Sequence, residues 1–257
     1  MSDWLYEISL TVLYLAIAIL VVGATEFGNW IGRRSRGPKA VDADIGTLAG
    51  AALGLLALLL GFSFSIALSR YDARRDLVLE EANAIGSTAN FALMLPEPVQ
   101  GPTLDLLREY AEVRVTLGTP YDPLKMEQDI ARSLDLQTRL WQQAVAVTAA
   151  SPQSLPAYRF VASLNEMNNI HERRLTALRY HVPAEIFFML LGVAMVAMVL
   201  TGYQVGATRG RRHPANLLMA FTVAMVMTLI IDLDRPHRGL ILVPVQPLLD
   251  AAAGIRP

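Results

Sequence analysis

Two carboxylates spaced two residues apart, Asp232 and Asp234, close an apolar run and are followed at once by Arg235. A second polar group, Arg70, Arg74, Arg75, Glu81 and Asn83, follows another apolar run. Paired acids can do general acid–base work or hold a divalent cation. A metal would need further ligands converging on them, and His171, His181, His213 and His237 are scattered along the chain. No catalytic residue, metal site or cofactor motif is assigned, and the chain reads as a non-enzyme. Carboxylates at the edge of a bilayer seek cations, which the arginines supply. Arg70, Arg74, Glu81 and Thr88 share one face of a helix, with Asn83 nearby. Two readings stay open: an ion-pair girdle fixing helix ends, or a polar membrane-boundary site that selects ions or binds a ligand.

A different constellation is apolar. Gly50, Gly54, Ala57, Gly61 and Ser65 recur every three or four residues, with Gly46 one turn earlier. Small residues at this spacing let another backbone approach closely. They serve either helix packing, within or between subunits, or a pore face with Phe62 or Ile66 near a constriction.

The elements that must carry these groups are long apolar helices. A charge at the bilayer centre costs roughly 2.5–3.5 kcal/mol on insertion scales, so charge-free runs mark spans. There are four: Ile8–Thr25, Ile45–Ser69, Ile186–Thr208 and Pro214–Ile231. Each is close to the roughly 20 residues needed to cross about 30 Å of hydrocarbon. Trp4, Tyr6, Trp30, Tyr71 and Tyr203 stand near their ends, where amphipathic rings favour the interface. A cleaved signal peptide is disfavoured for the first run, because Asp3 and Glu7 occupy a region that would have to be positive. The uncharged stretch Leu140–Tyr158 holds Pro152 and Pro156 and reads as a loop between soluble helices.

Between Arg70 and Val182 the pattern becomes amphipathic helix. Four stripes stand out. The first two are Val78-Ala82-Ile85-Ala89-Leu93 and Leu106-Tyr110-Val113-Leu117. The others are Ile130-Leu134-Trp141-Val145 and Leu164-Met167-His171-Leu175-Leu178. Breaks are expected at Pro96-Glu97-Pro98, Gly118-Thr119-Pro120 and Ser151-Pro152. His171, on an apolar stripe, reads as a core residue. The outer helices are expected to continue from the second span and into the third. The tail from Gly239 to Leu249 is apolar, too short to span and broken by two prolines, which suits an interfacial segment or one packed on the domain. The expected domains are thus a first transmembrane pair (1–69), a helical domain (70–182), a second pair (183–234) and a tail (235–257).

Arg33, Arg34, Arg36 and Lys39 follow the first span, and Arg209, Arg211 and Arg212 follow the third; the carboxy-terminal tail has Arg235, Arg238 and Arg256. The excess in the short loops places them in the cytoplasm, with both termini and the central domain periplasmic or extracellular. Charged residues make up only 18% of the 257, below the roughly 25% of soluble domains. The formal net charge of −1 gives no basic face for nucleic acid. With no cysteine, disulfides and thiolate chemistry are excluded.

Gly61-Phe62-Ser63-Phe64-Ser65, Arg70-Tyr71, Arg74-Arg75 and Glu81-Ala82-Asn83-Ala84-Ile85-Gly86-Ser87 form one block. Leu233-Asp234-Arg235-Pro236, Arg238-Gly239 and Gln246-Pro247-Leu248-Leu249 form another. Both resemble the bacterial bestrophin-like domain membrane proteins. Leu107-Arg108-Glu109-Tyr110 and Arg173-Arg174 with Pro183 extend the likeness over nearly the whole chain. The resemblance implies similarity to bestrophins, pentameric anion channels with four spans and a helical domain between the second and third. None of their pore or calcium-binding residues is carried over to this chain.

The resulting expectation is an all-α bacterial inner-membrane protein with four transmembrane helices and a helical domain inserted between the second and third. Its leading function is a homo-oligomeric channel or pore for small ions, in contact with lipid. The alternative is a membrane sensor or scaffold, with a ligand pocket among the soluble helices around His171 and Asn168.

Overall fold

A computed structural model describes residues 8–35, 39–117, 122–208 and 213–255. Readings that rest on Asp3, Trp4, Tyr6, Glu7, Arg36, Arg209, Arg211, Arg212, Arg256, the side chain of Lys39 or the break at Gly118-Thr119-Pro120 lie outside the described residues. Every regular element among the described residues is a helix: α1 (Leu10–Arg34), α2 (Lys39–Ala92), α3 (Gln100–Thr116), α4 (Pro123–Ala150), α5 (Leu155–Arg179), α6 (Ala184–Thr208), α7 (His213–Asp234) and α8 (Gln246–Gly254). Four helical stretches are long and apolar enough to cross a membrane, and they cover the four runs found in the sequence to within two residues at their ends.

Two compact units divide the chain. One comprises Met1–Ser69, His181–Arg235 and Gly239–Ile241; the other comprises Arg70–Tyr180, Pro236–Arg238 and Leu242–Pro257.

In the first unit, α1 packs along α6 and against α7. Leu13, Ile17, Ala18 and Val21 are its buried apolar positions, while Leu15, Ile19 and Leu20 point outward. Such outward apolar groups suit a hydrocarbon solvent. The expected run-on into the third span is interrupted. α5 stops at Arg179 and α6 begins at Ala184, because Pro183 lacks an N–H and disfavours helical geometry at Val182.

The second unit holds α3, α4, α5, α8 and the end of α2. Its core joins Val78, Ala82, Ile85 and Ala89 to Leu107, Tyr110, Leu136, Leu140, Phe160, Leu164 and Met167. Each fully buried Leu, Ile or Phe contributes about 1.5–3 kcal/mol. The tail adds α8, which packs on α3 and buries Leu248 in the same core. Arg108 Nε donates to the Ile255 carbonyl at 3.2 Å.

Two expectations need correction here. The stretch Leu140–Tyr158 is largely helical, and only Ser151–Ser154 interrupts it. Pro156 lies in the first turn of α5, where its missing N–H would have no partner anyway. Ser154 caps that turn by accepting from the Ala157 N–H at 3.3 Å. The third stripe is also misplaced. Leu134, Trp141 and Val145 are exposed, and α4 buries Ser133, Leu136, Gln137, Leu140, Ala144 and Val147 instead. The helix carries two apolar faces, and the one with the aromatic residue is not the one that packs.

Candidate pore face and a buried charge cluster

Within the first unit, the second span buries Ala49, Leu56, Ser63 and Ala67. Those steps of seven, seven and four make one narrow seam along the helix. All seven residues proposed for a packing or pore face, Gly50, Gly54, Ala57, Gly61, Phe62, Ser65 and Ile66, are exposed. Phe62 is 60% accessible. A Cβ placed on Gly50, Gly54 or Gly61 would meet nothing within 4 Å, although one on Gly46 would touch the flexible Gln204 side chain.

A second glycine set behaves differently. Gly28 and Gly32 on α1 face Gly202 and Gly206 on α6. A Cβ at any of the four would fall under 3.0 Å from a backbone carbonyl, of Val199, Tyr203, Thr25 or Asn29 respectively. The two backbones are in direct contact, which only glycine permits. These four residues were missed in the sequence, although their i, i+4 spacing signals them as plainly as that of Gly50 and Gly54. Tyr203, expected at the interface, donates its hydroxyl to Ser35 Oγ at 2.8 Å.

The paired acids serve backbone amides in this unit. Asp232 accepts from the Leu240 N–H at 3.1 Å and the Ile241 N–H at 3.2 Å. Gly239 has φ +133, and a Cβ there would collide with the Asp232 carboxylate. This positive φ is the turn that returns the chain onto its own helix end. Asp234 accepts from the Val182 N–H at 2.8 Å. Arg235 is buried beside them in sequence.

In the second unit Arg75 is exposed and pairs with Asp72 and Asp76. Arg74 is buried, and Asn83 is exposed. Glu81 is fully buried and sits at the centre of a cluster drawn from four helices, α2, α3, α4 and α5. Its Oε1 accepts from Arg114 Nε at 2.6 Å, and its Oε2 accepts from Arg174. Tyr110 donates its hydroxyl to Glu81 at 3.3 Å, lies 3.0 Å from His171 Nδ1, and accepts from Gln137 at 3.3 Å. Burial pushes the Glu81 carboxyl up, but the Arg114 and Arg174 guanidinium groups outweigh it and hold the carboxyl below the usual range. Burial, with Arg114 adding to it, pushes His171 down to about 4, so the imidazole is neutral near pH 7. Tyr110 is raised, first by burial. Arg114 was not singled out from the sequence, and Arg174 entered only through the family resemblance, with no role given to it. The available signal was a charge on an apolar stripe, since Arg114 falls between Tyr110 and Leu117.

No group of three or more His, Cys, Asp or Glu residues that could hold a metal occurs among the described residues.

This architecture defines a class: an all-helical membrane protein with four spans and a helical domain inserted between the second and third. The chain belongs to the bestrophin-like family, whose Bestrophin-like domain matches residues 15–248. Solved structures share the fold at low identity. A bacterial bestrophin homolog from Klebsiella pneumoniae is 14% identical with a TM-score of 0.65, covering 97% of this chain and 100% of that one. A point variant of a Klebsiella pneumoniae homolog is also 14% identical, with a TM-score of 0.68 over 94% and 98% of the two chains. A crystal structure of a membrane protein reaches 0.67 at 14% identity over 95% and 98%. No curated protein matches the chain.

Proposed function

We propose that the protein is a homo-oligomeric ion channel whose second spans surround a central path with the face of Gly50, Gly54, Ala57, Gly61 and Ser65. Family membership supplies the class, since bestrophins are ion channels. The observation that carries the assignment to this helix is its exposed small-residue face, which no other part of the described unit covers. Phe62 and Ile66 flank that face and form the narrowing. Small ions and lipid are the partners, and no enzymatic step is invoked. Arg70, Arg74 and Arg75 follow the second span in the chain, and Asp232, Asp234 and Arg235 end the fourth; we assign each set to fixing its own helix end, while Glu81 belongs to the buried core of the domain and Asn83 to its surface. The short loops face the cytoplasm of a bacterial inner membrane and the domain lies outside, on the strength of the cationic count.

Protein reconstituted in liposomes is expected to pass ions, and Phe62→Ala is expected to change the conductance. No flux under any ion gradient, together with a monomer in detergent, would overturn the proposal and leave the sensor or scaffold reading.

A further inference from the structure

Leu15, Ile19, Gly23, Phe27, Trp30 and Arg34 follow one another along α1 in steps of three and four residues, and all six are exposed. The stripe is uncharged until its last turn, which carries Arg33 and Arg34. Phe27 and Trp30 stack, with ring centroids 6.2 Å apart and planes 19° from parallel. The guanidinium carbon of Arg34 lies 4.1 Å from the centroid of the Trp30 ring. Arg33 is engaged elsewhere. Its Nε donates to Asn29 Oδ1 at 3.2 Å, and Asn29 in turn donates to Glu26 at 3.4 Å. The Arg34 side chain makes no hydrogen bond or ion pair among the described residues, so its ring contact leaves all its donors unused.

A guanidinium stacked on an aromatic face is held in a fixed plane, and its fork of N–H donors matches a phosphate bidentately. Trp30 stands near the end of its span, where amphipathic rings favour the headgroup level. Deeper along the same face, a Cβ added at Gly23 would meet nothing within 4 Å. Set among the exposed side chains of Ile19, Leu20 and Phe27, this glycine makes a notch in the apolar surface. Gly23 and Arg34 lie about 16 Å apart along α1, close to half of the roughly 30 Å hydrocarbon thickness. The face thus runs from a cation through two rings to an apolar notch over the depth of one leaflet. That is the polarity and length of a phospholipid. A headgroup amine would set another cation beside Arg33 and Arg34, which disfavours zwitterionic lipids. We propose that this face holds one anionic phospholipid, with its phosphate on Arg34 and an acyl chain lying over Trp30 and Phe27 into the notch at Gly23.

The test is native mass spectrometry of the full-length protein in detergent. It is titrated with phosphatidylglycerol, with phosphatidylcholine of the same acyl chains, and with inorganic phosphate. Phosphatidylglycerol should bind about tenfold tighter than phosphatidylcholine, and Arg34→Gln should remove that preference. Trp30→Leu keeps an apolar side chain but not the stacked ring, and should weaken phosphatidylglycerol about threefold. Gly23→Leu fills the notch and should weaken both lipids. All three positions are exposed, so the variants keep the fold. Equal binding of the two lipids would overturn the site, as would a preference that survives Arg34→Gln. Inorganic phosphate binding as tightly as phosphatidylglycerol would reduce the site to a bare anion contact and overturn the lipid assignment.

Discussion

Two glycine faces in the membrane unit have the same spacing and opposite surroundings. Gly28, Gly32, Gly202 and Gly206 bring α1 and α6 into backbone contact, and a Cβ at any of them has no room. Gly50, Gly54 and Gly61 sit on an exposed helix face where a Cβ would meet nothing. Spacing reports that a helix can be approached closely, but it does not name what approaches. In the first set the partner is within the chain. For the second, the proposed channel makes it the axis shared with neighbouring subunits.

The comparison can be broken most severely at the closed face. Gly202→Val should cost the fold at least about 3 kcal/mol, because its clash is with backbone that cannot swing away. Thermal melting and the yield of monodisperse protein would register it. A value within 1 kcal/mol of the parent would mean the α1–α6 contact is looser than described.

The domain core supplies a control outside the membrane, where closure is electrostatic. Glu81→Gln leaves two buried guanidinium groups without their shared carboxylate and should cost about 3–5 kcal/mol. The neutral His171 gives this core a pH signature. Its folded pKa of about 4 lies below the ordinary 6.5, so the unfolded chain takes up the proton first. Stability is therefore lost as pH falls from about 6.5 to about 4, by on the order of 3 kcal/mol. Glu81, held below its ordinary value, adds a further loss only at lower pH. Melting at pH 7.5 and pH 4.5 should show the first loss, and His171→Gln should flatten it. An unchanged slope in that variant would move the titration to other groups.

The open face should respond least in stability. Gly54→Ala should leave the fold unchanged or stabilise it by up to about 1 kcal/mol, through helix propensity alone. A loss as large as that at Gly202 would erase the distinction between the two faces.

The four spans were legible because the cost of a buried charge leaves long uncharged runs, and each run lies in a helix of spanning length. The five small residues of the second-span face, Gly50, Gly54, Ala57, Gly61 and Ser65, could be placed on one side of a helix from their spacing. The α1–α6 contact was equally visible as spacing but became a contact only once two helices far apart in the chain were brought together. Glu81, Arg114 and Arg174 were harder still. Each is a single charge on a separate helix, and a charge destined for the core looks like any other until its partner is placed against it. On α4 the sequence held two competing apolar faces, and the core took the one built of Leu136, Leu140, Ala144 and Val147. Trp141 lay on the other.

The central claim is that the open glycine face turns toward an axis shared by copies of the chain. A chain without cysteine allows a direct measurement, oxidative cross-linking of single-cysteine variants in native membranes. Ser65→Cys, on the open face, should yield covalent dimers. Leu15→Cys, also exposed but on α1, should remain monomeric and serve as the lipid-facing reference. Cross-linking at Ser65 no higher than at Leu15 would contradict the account.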